Sequence, residues 1–244
     1  MRLKDLRHQL TWPIAYYVLL GVKTLASMIS FKGLASLATL VSRILLWVPG
    51  NKKLIMANLD IVFPDYTDHE RQQLCRKCAK SITLTFMEFL WIRGNADKLT
   101  TIARLNPQSE SLLKSYYEMD QGVIVIGPHI GNWEIGNLLV NAKGYHTWAV
   151  AKEQGNPFTE RLINEGRKIS GSGVIYEKGA AKRMLRVLKN HEMVMLLIDQ
   201  NTPPKQGGVF VDFFGLPITV SRAPLTFARK CNAEILMGRS IRQD

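Results

Sequence analysis

From residue 122 onward the chain alternates between short apolar runs and longer amphipathic stretches, and this alternation restricts its fold more than any other feature. The runs at 123–127, 146–151, 173–176 and 193–198 have the length and β-branching of buried strands. The stretches between them, at 132–143, 157–170 and 179–190, carry helical periodicity. A Pro/Gly-rich loop at 201–208 leads to a short strand near 209–213, and a last apolar strand-like run fills 233–237. Strands separated by helices imply an α/β architecture with a largely parallel mixed sheet flanked by helices. In such sheets ligands sit beyond the C-terminal ends of the strands.

The first 118 residues read as helical. A helix over 68–92 begins after Thr67, places Leu74, Cys78, Ile82, Phe86, Phe89 and Leu90 at mostly helical spacing, and ends at Gly94-Asn95. Before it lie two apolar segments, 13–31, broken by Lys23, and 34–48, which carries Arg43. Arg2, Lys4 and Arg7 precede Trp12, Tyr16 and Tyr17, a basic and aromatic flank suited to a membrane interface. Residues 1–48 are therefore expected to form a membrane-anchoring helical segment and residues 49–244 a second domain. The anchor either crosses the bilayer once, at a cost for Lys23, or lies in the interface as two helices. A helical hairpin buried in the protein core is the soluble alternative. No small-residue cleavage site follows the first segment, which argues against a secretory signal peptide.

Thirty-two Lys/Arg against twenty Asp/Glu give a formal net charge of +12. Such a charge favours an anionic membrane, an acidic partner or nucleic acid. No nucleic-acid-binding module is recognisable, so nucleic acid is not expected as a partner. Residues 1–60 hold eight Lys/Arg against Asp5 and Asp60, and these charges flank apolar stretches. Residues 150–190 hold nine against four glutamates on expected helices, either a docking face for an acidic protein or ordinary solvated helix surface. Cys75, Cys78 and Cys231 make no disulfide framework. The Cys75-Arg-Lys-Cys78 pair lies within a helical pattern with no second Cys/His pair nearby, so no metal site is expected. Free thiols suit a reducing cytosol.

The chemistry concentrates at 123–136, VIVIGPHIGNWEIG. The strand is stopped by Gly-Pro, His129 sits on the turn, Asn132 is an N-cap candidate and Glu134 falls in the first helical turn. On one continuous helix, residues five apart point about 140° away from each other. With His129 on the loop and Glu134 inside the helix, the two side chains can converge. The helix N-terminus beside them offers unpaired N–H groups to an anion or a developing oxyanion. An imidazole, a carboxylate to fix its tautomer and an amide-lined pocket suit general-base activation of a hydroxyl for acyl transfer. A hydrogen-bonded turn histidine and a glutamate that merely complements its helix dipole are the competing reading. Asp199, at the end of the run 193–198, is either a loop cap or a competitor of Glu134 for orienting His129. The glycines have the wrong spacing for a Gly-x-Gly-x-x-Gly dinucleotide loop, and neither a P-loop nor a His-Glu-x-x-His helix occurs.

The stretches ANLDIVFPD (57–65), GPHIGNWE (127–134), NEGRKI (164–169), RMLRVLKNHEMVMLLIDQN (183–201) and VDFFG (211–215) resemble, in order, the bacterial lipid A biosynthesis acyltransferases with their His-x4-Asp/Glu element. The resemblance implies a glycerolipid-acyltransferase-like fold and an acyltransferase domain over 49–244. It implies transfer from an acyl carrier protein thioester, or from acyl-CoA, to a hydroxyl of a membrane glycolipid such as a lipid A precursor. A catalytic base is implied at His129, with Glu134 or Asp199 as the carboxylate that holds it, and Arg167 is implied to lie at the acyl-transfer site; Asn132 is a further candidate for substrate contact. No cofactor is implied beyond the thioester co-substrate. The expected location is the cytoplasmic face of the bacterial inner membrane, with an acidic acyl carrier protein as partner. A lysophospholipid or mannosylated phosphoinositide is the alternative acceptor, and a catalytically silent membrane-binding protein of the same fold the alternative class. Family members continue with another strand and helix beyond the position of Asp244, so the chain reads as short at its C-terminus.

Overall fold

The computed structural model describes the backbone of residues 3–243 and the side chains of 11–243; the basic flank Arg2, Lys4 and Arg7 lies outside the described side chains. Six helices come first: α1 (Leu3–Met28), α2 (Phe31–Leu45), α3 (Asn51–Val62), α4 (Asp68–Ile92), α5 (Leu99–Ile102) and α6 (Pro107–Glu118). Helix α4 starts on a capping box, in which Thr67 accepts from the Glu70 N–H while the Glu70 carboxylate accepts from the Thr67 N–H at 2.8 Å. Its C-terminal half is buried from Met87 to Ile92. Cys75 and Cys78 are residues of this helix, and burial raises both thiol pKa values above the ordinary cysteine value.

Helices α1 and α2 share a core with α4. Ala26, Leu34 and Ala38 are fully buried against Met87, Phe89, Trp91 and Ile92. Excluding a leucine such as Leu34 from water is worth about 2 kcal/mol. The Trp91 Nε1–H donates to the Ile29 carbonyl at 2.9 Å, so the large ring is buried without an orphaned donor. The outer faces of the same helices expose Ile14, Tyr17, Leu25, Leu40 and Ile44, with Trp47 86% exposed just beyond α2. Among the described residues no helix is long and apolar enough to cross a membrane, which leaves no support for the single-span expectation.

The second half alternates as β1 (Val123–Gly127), α7 (Trp133–Ala142), β2 (Thr147–Ala151), α8 (Pro157–Arg167), β3 (Gly173–Tyr176), α9 (Ala180–Lys189) and β4 (Met193–Leu197). Then follow β5 (Gly208–Phe213), β6 (Leu216–Ser221), α10 (Ala223–Cys231) and β7 (Glu234–Met237). Five strands form one sheet in the order β3-β2-β4-β1-β7, and every pairing is parallel. The two inner neighbours β1 and β4 bury Ile124 and Val194 completely. Because all five strands run the same way, their C-terminal ends share one edge.

The short strand expected near 209–213 does not join this sheet. It is β5, paired antiparallel with β6 in a separate hairpin closed by Phe214 and Gly215, both at positive φ. The hairpin is tied to the loop after β4, where the Asn201 side chain accepts from the Thr219 N–H at 3.0 Å. The expected helix 157–170 resolves into α8 followed by a short 3-10 turn at 168–170.

Candidate active site

The register of the two central strands creates the site. Gly127 at the end of β1 is level with Leu197 at the end of β4, and pairing continues one step further as the Ile198 N–H donates to the Gly127 carbonyl at 3.1 Å. His129 and Asp199 each lie two residues past those ends, so residues 70 apart in the chain meet at the sheet edge. One carboxylate holds the histidine twice: Asp199 Oδ2 accepts from the His129 backbone N–H at 2.8 Å, and Oδ1 lies 2.6 Å from the ring Nδ1. An ionised carboxylate only accepts, so the Nδ1 that faces it carries a proton, and in the neutral ring Nε2 is then the nitrogen with the lone pair. The ring packs edge-on against Trp133, with centroids 4.7 Å apart. Both partners remain partly open to solvent, with 30% of the His129 side chain and 36% of Asp199 exposed.

Helix α7 starts immediately beyond. Asn132 is its N-cap, Oδ1 accepting from the Ile135 N–H at 3.0 Å. Gly131 precedes it at φ +66°, where a side chain is strained, and a Cβ there would sit 2.2 Å from the Ser240 carbonyl oxygen. The first N–H groups of a helix have no intrahelical partner, so those of Trp133 and Glu134 form a positive helix end beside the imidazole.

Glu134 does not turn toward His129. It accepts two bonds from Arg167 at the end of α8, from Nε at 3.0 Å and from Nη2 at 2.5 Å. Only 14% of each side chain is exposed, so the pair is largely shielded from solvent. Burial disfavours its charge, but the bonds and field of Glu134 outweigh that and hold its pKa above the ordinary arginine value. The pair ties α7 to α8 with bidentate geometry. The convergence expected of His129 and Glu134 is thus replaced by two separate pairs, His129 with Asp199 and Glu134 with Arg167. Asn132 is buried with both ends of its amide bonded inside the protein.

One group was not picked out from the sequence. Glu88 on α4 is 5% exposed and accepts from Asn132 and from Arg242. A carboxylate inside the apolar run 86–92 was its signal, because buried charge requires built partners.

The model of the family described as bacterial lipid A biosynthesis acyltransferase matches residues 2–244. A lipid A biosynthesis acyltransferase of Haemophilus influenzae is 23% identical over 168 residues, 66% of this chain and 50% of that one. The lipid A biosynthesis lauroyltransferase of Escherichia coli is also 23% identical over 168 residues, covering 67% and 52%. The myristoyltransferase of the same pathway name in Escherichia coli is 23% identical over 188 residues, covering 76% and 57%. The matched part spans about half the length of these curated relatives.

Proposed function

Because the chain belongs to the bacterial lipid A biosynthesis acyltransferase family, we propose that it is a membrane-associated O-acyltransferase. It moves a fatty acyl chain from an acyl carrier protein thioester, or from acyl-CoA, to a hydroxyl of a glycolipid, a lipid A precursor. The observation that carries this reading is the His129–Asp199 pair at the C-terminal edge of the sheet, next to the N-terminus of α7.

In this mechanism Nε2 of His129 removes the acceptor hydroxyl proton as the oxygen attacks the thioester carbonyl. Asp199 holds Nδ1–H and stabilises the imidazolium that forms. The tetrahedral oxyanion is stabilised by N–H groups at the start of α7. When the C–S bond breaks, the imidazolium returns its proton to the departing sulfur, giving an ester and a free thiol. A thioester is already activated, so the step needs no enzyme nucleophile.

Two surfaces support the donor and the location. Helix α9 buries Met184, Val187 and Leu188 and exposes Lys182, Arg183 and Arg186, a face suited to steering an acidic carrier protein. The exposed apolar residues of α1 and α2, with Trp47, suit an interfacial position on the cytoplasmic face of the inner membrane. Mass spectrometry of lipids from cells with and without the protein tests the assignment. A lipid A-type species one acyl chain heavier in cells that contain it is the expected result. A change confined to phospholipids would assign a different acceptor, and unchanged lipids would remove the activity.

A further inference from the structure

We propose that Glu88 is a positioning residue for the catalytic turn, acting by dictating which way the Asn132 amide faces. The inference rests on the reading of His129 as the base. Glu88 reaches the turn from behind, out of the buried half of α4. Its Oε2 accepts from Asn132 Nδ2 at 2.8 Å and from Arg242 Nη2 at 2.9 Å, and its Oε1 from Arg242 Nε at 3.1 Å.

An ionised carboxylate only accepts, so the Asn132 amide must present its NH2 to α4. The Thr85 carbonyl, 3.1 Å from the same Nδ2, enforces the same choice. Oδ1 is thereby aimed at the Ile135 N–H, the bond that caps α7. Neighbouring contacts hold the two peptides on either side of Asn132. Thr85 Oγ1 donates to the Gly131 carbonyl at 2.8 Å, and Ser240 Oγ donates to the Asn132 carbonyl at 2.9 Å. Arg242 Nη2 in turn donates to Thr85 Oγ1 at 2.7 Å. Asp199 fixes His129 from the open side of the turn, and Glu88 fixes Asn132, the cap that joins the turn to the helix, from the closed side. The separation between the imidazole and the helix N–H groups depends on both.

The test exploits the direction of these bonds. Glu88→Gln keeps one acceptor oxygen and turns the other position into an NH2 donor, so either Asn132 Nδ2 or Arg242 Nε must face a donor. If its NH2 faces Asn132, that amide turns over and the cap is lost. In the full-length protein, the expected result is a kcat lowered about 10- to 100-fold with KM for acyl carrier protein thioester within about threefold. Hydrogen exchange at the Ile135 amide should speed up about fivefold, the equivalent of a lost cap. Adding Asn132→Asp puts a carboxylate at the cap that accepts from both the glutamine and the Ile135 N–H. An aspartate oxygen in the place of Nδ2 faces the Thr85 carbonyl, so this double variant should recover part of the lost kcat and slow Ile135 exchange again. If Glu88→Gln does not fold, the double variant still decides, because the proposal expects it to be folded and active. A folded Glu88→Gln with wild-type kcat and unchanged Ile135 exchange would overturn the proposal, as would a double variant no better than the single. Full activity in His129→Ala would instead remove the reading on which the proposal rests, and the Ile135 exchange readout does not depend on it.

Discussion

Replacing His129 with alanine is expected to lower acyl transfer by at least ~10²-fold, the usual contribution of a positioned general base. The fold should tolerate the change. The ring is 30% exposed, packs edge-on against Trp133 and holds no buried group in place. The backbone N–H that donates to Asp199 remains in the variant. A stability loss below about 1 kcal/mol is expected, so circular dichroism and thermal melting should match the wild type while product formation nearly vanishes. Near-normal turnover by folded His129→Ala protein would eliminate the base from the mechanism.

The second large effect separates the two carboxylates. Asp199→Ala should cost about 10²-fold or more in activity with little change in melting temperature, because it frees the imidazole tautomer and removes the partner of its cation. Glu134→Ala should act chiefly on stability. It strips the buried guanidinium of Arg167 of its hydrogen-bonded carboxylate partner, a loss of about 3 kcal/mol. Adding Arg167→Met to Glu134→Ala should recover part of that stability, since it removes the stranded charge. The opposite pattern, an active Asp199→Ala beside an inactive Glu134→Ala with an unchanged melting temperature, would make Glu134 the group that orients the imidazole.

These two pairs also show how far the sequence could be read. The strand, turn and helix from Val123 to Ala142 follow from local signals: β-branched residues, Gly-Pro, an Asn cap. The start of α4 follows from Thr67 and Glu70. The partner of His129 does not follow from local signals. It depends on Gly127 standing level with Leu197, and strand order and register are properties of the assembled sheet. Glu134 looked like the partner because it is near in sequence, whereas the guanidinium that takes it arrives from the end of another helix. Strand β6 was missed for a related reason. Pro217 argues against a strand within a large sheet, but in a two-stranded hairpin each strand has a free edge where a missing N–H is harmless. Periodicity also assigned α1 and α2 an apolar character without showing that one face enters the core around Trp91 and another stays exposed.

The most direct test of the account follows a labelled acyl chain. Purified protein is incubated with radiolabelled acyl-acyl carrier protein and a hydroxyl-bearing lipid A precursor, and the label is tracked among thioester, protein and lipid. The account predicts that each thioester lost appears as one ester on the glycolipid and one free thiol. No label should remain on the protein, and transfer should depend on His129. Label that accumulates covalently on the protein, or thioester that stays intact with the acceptor present, would contradict it.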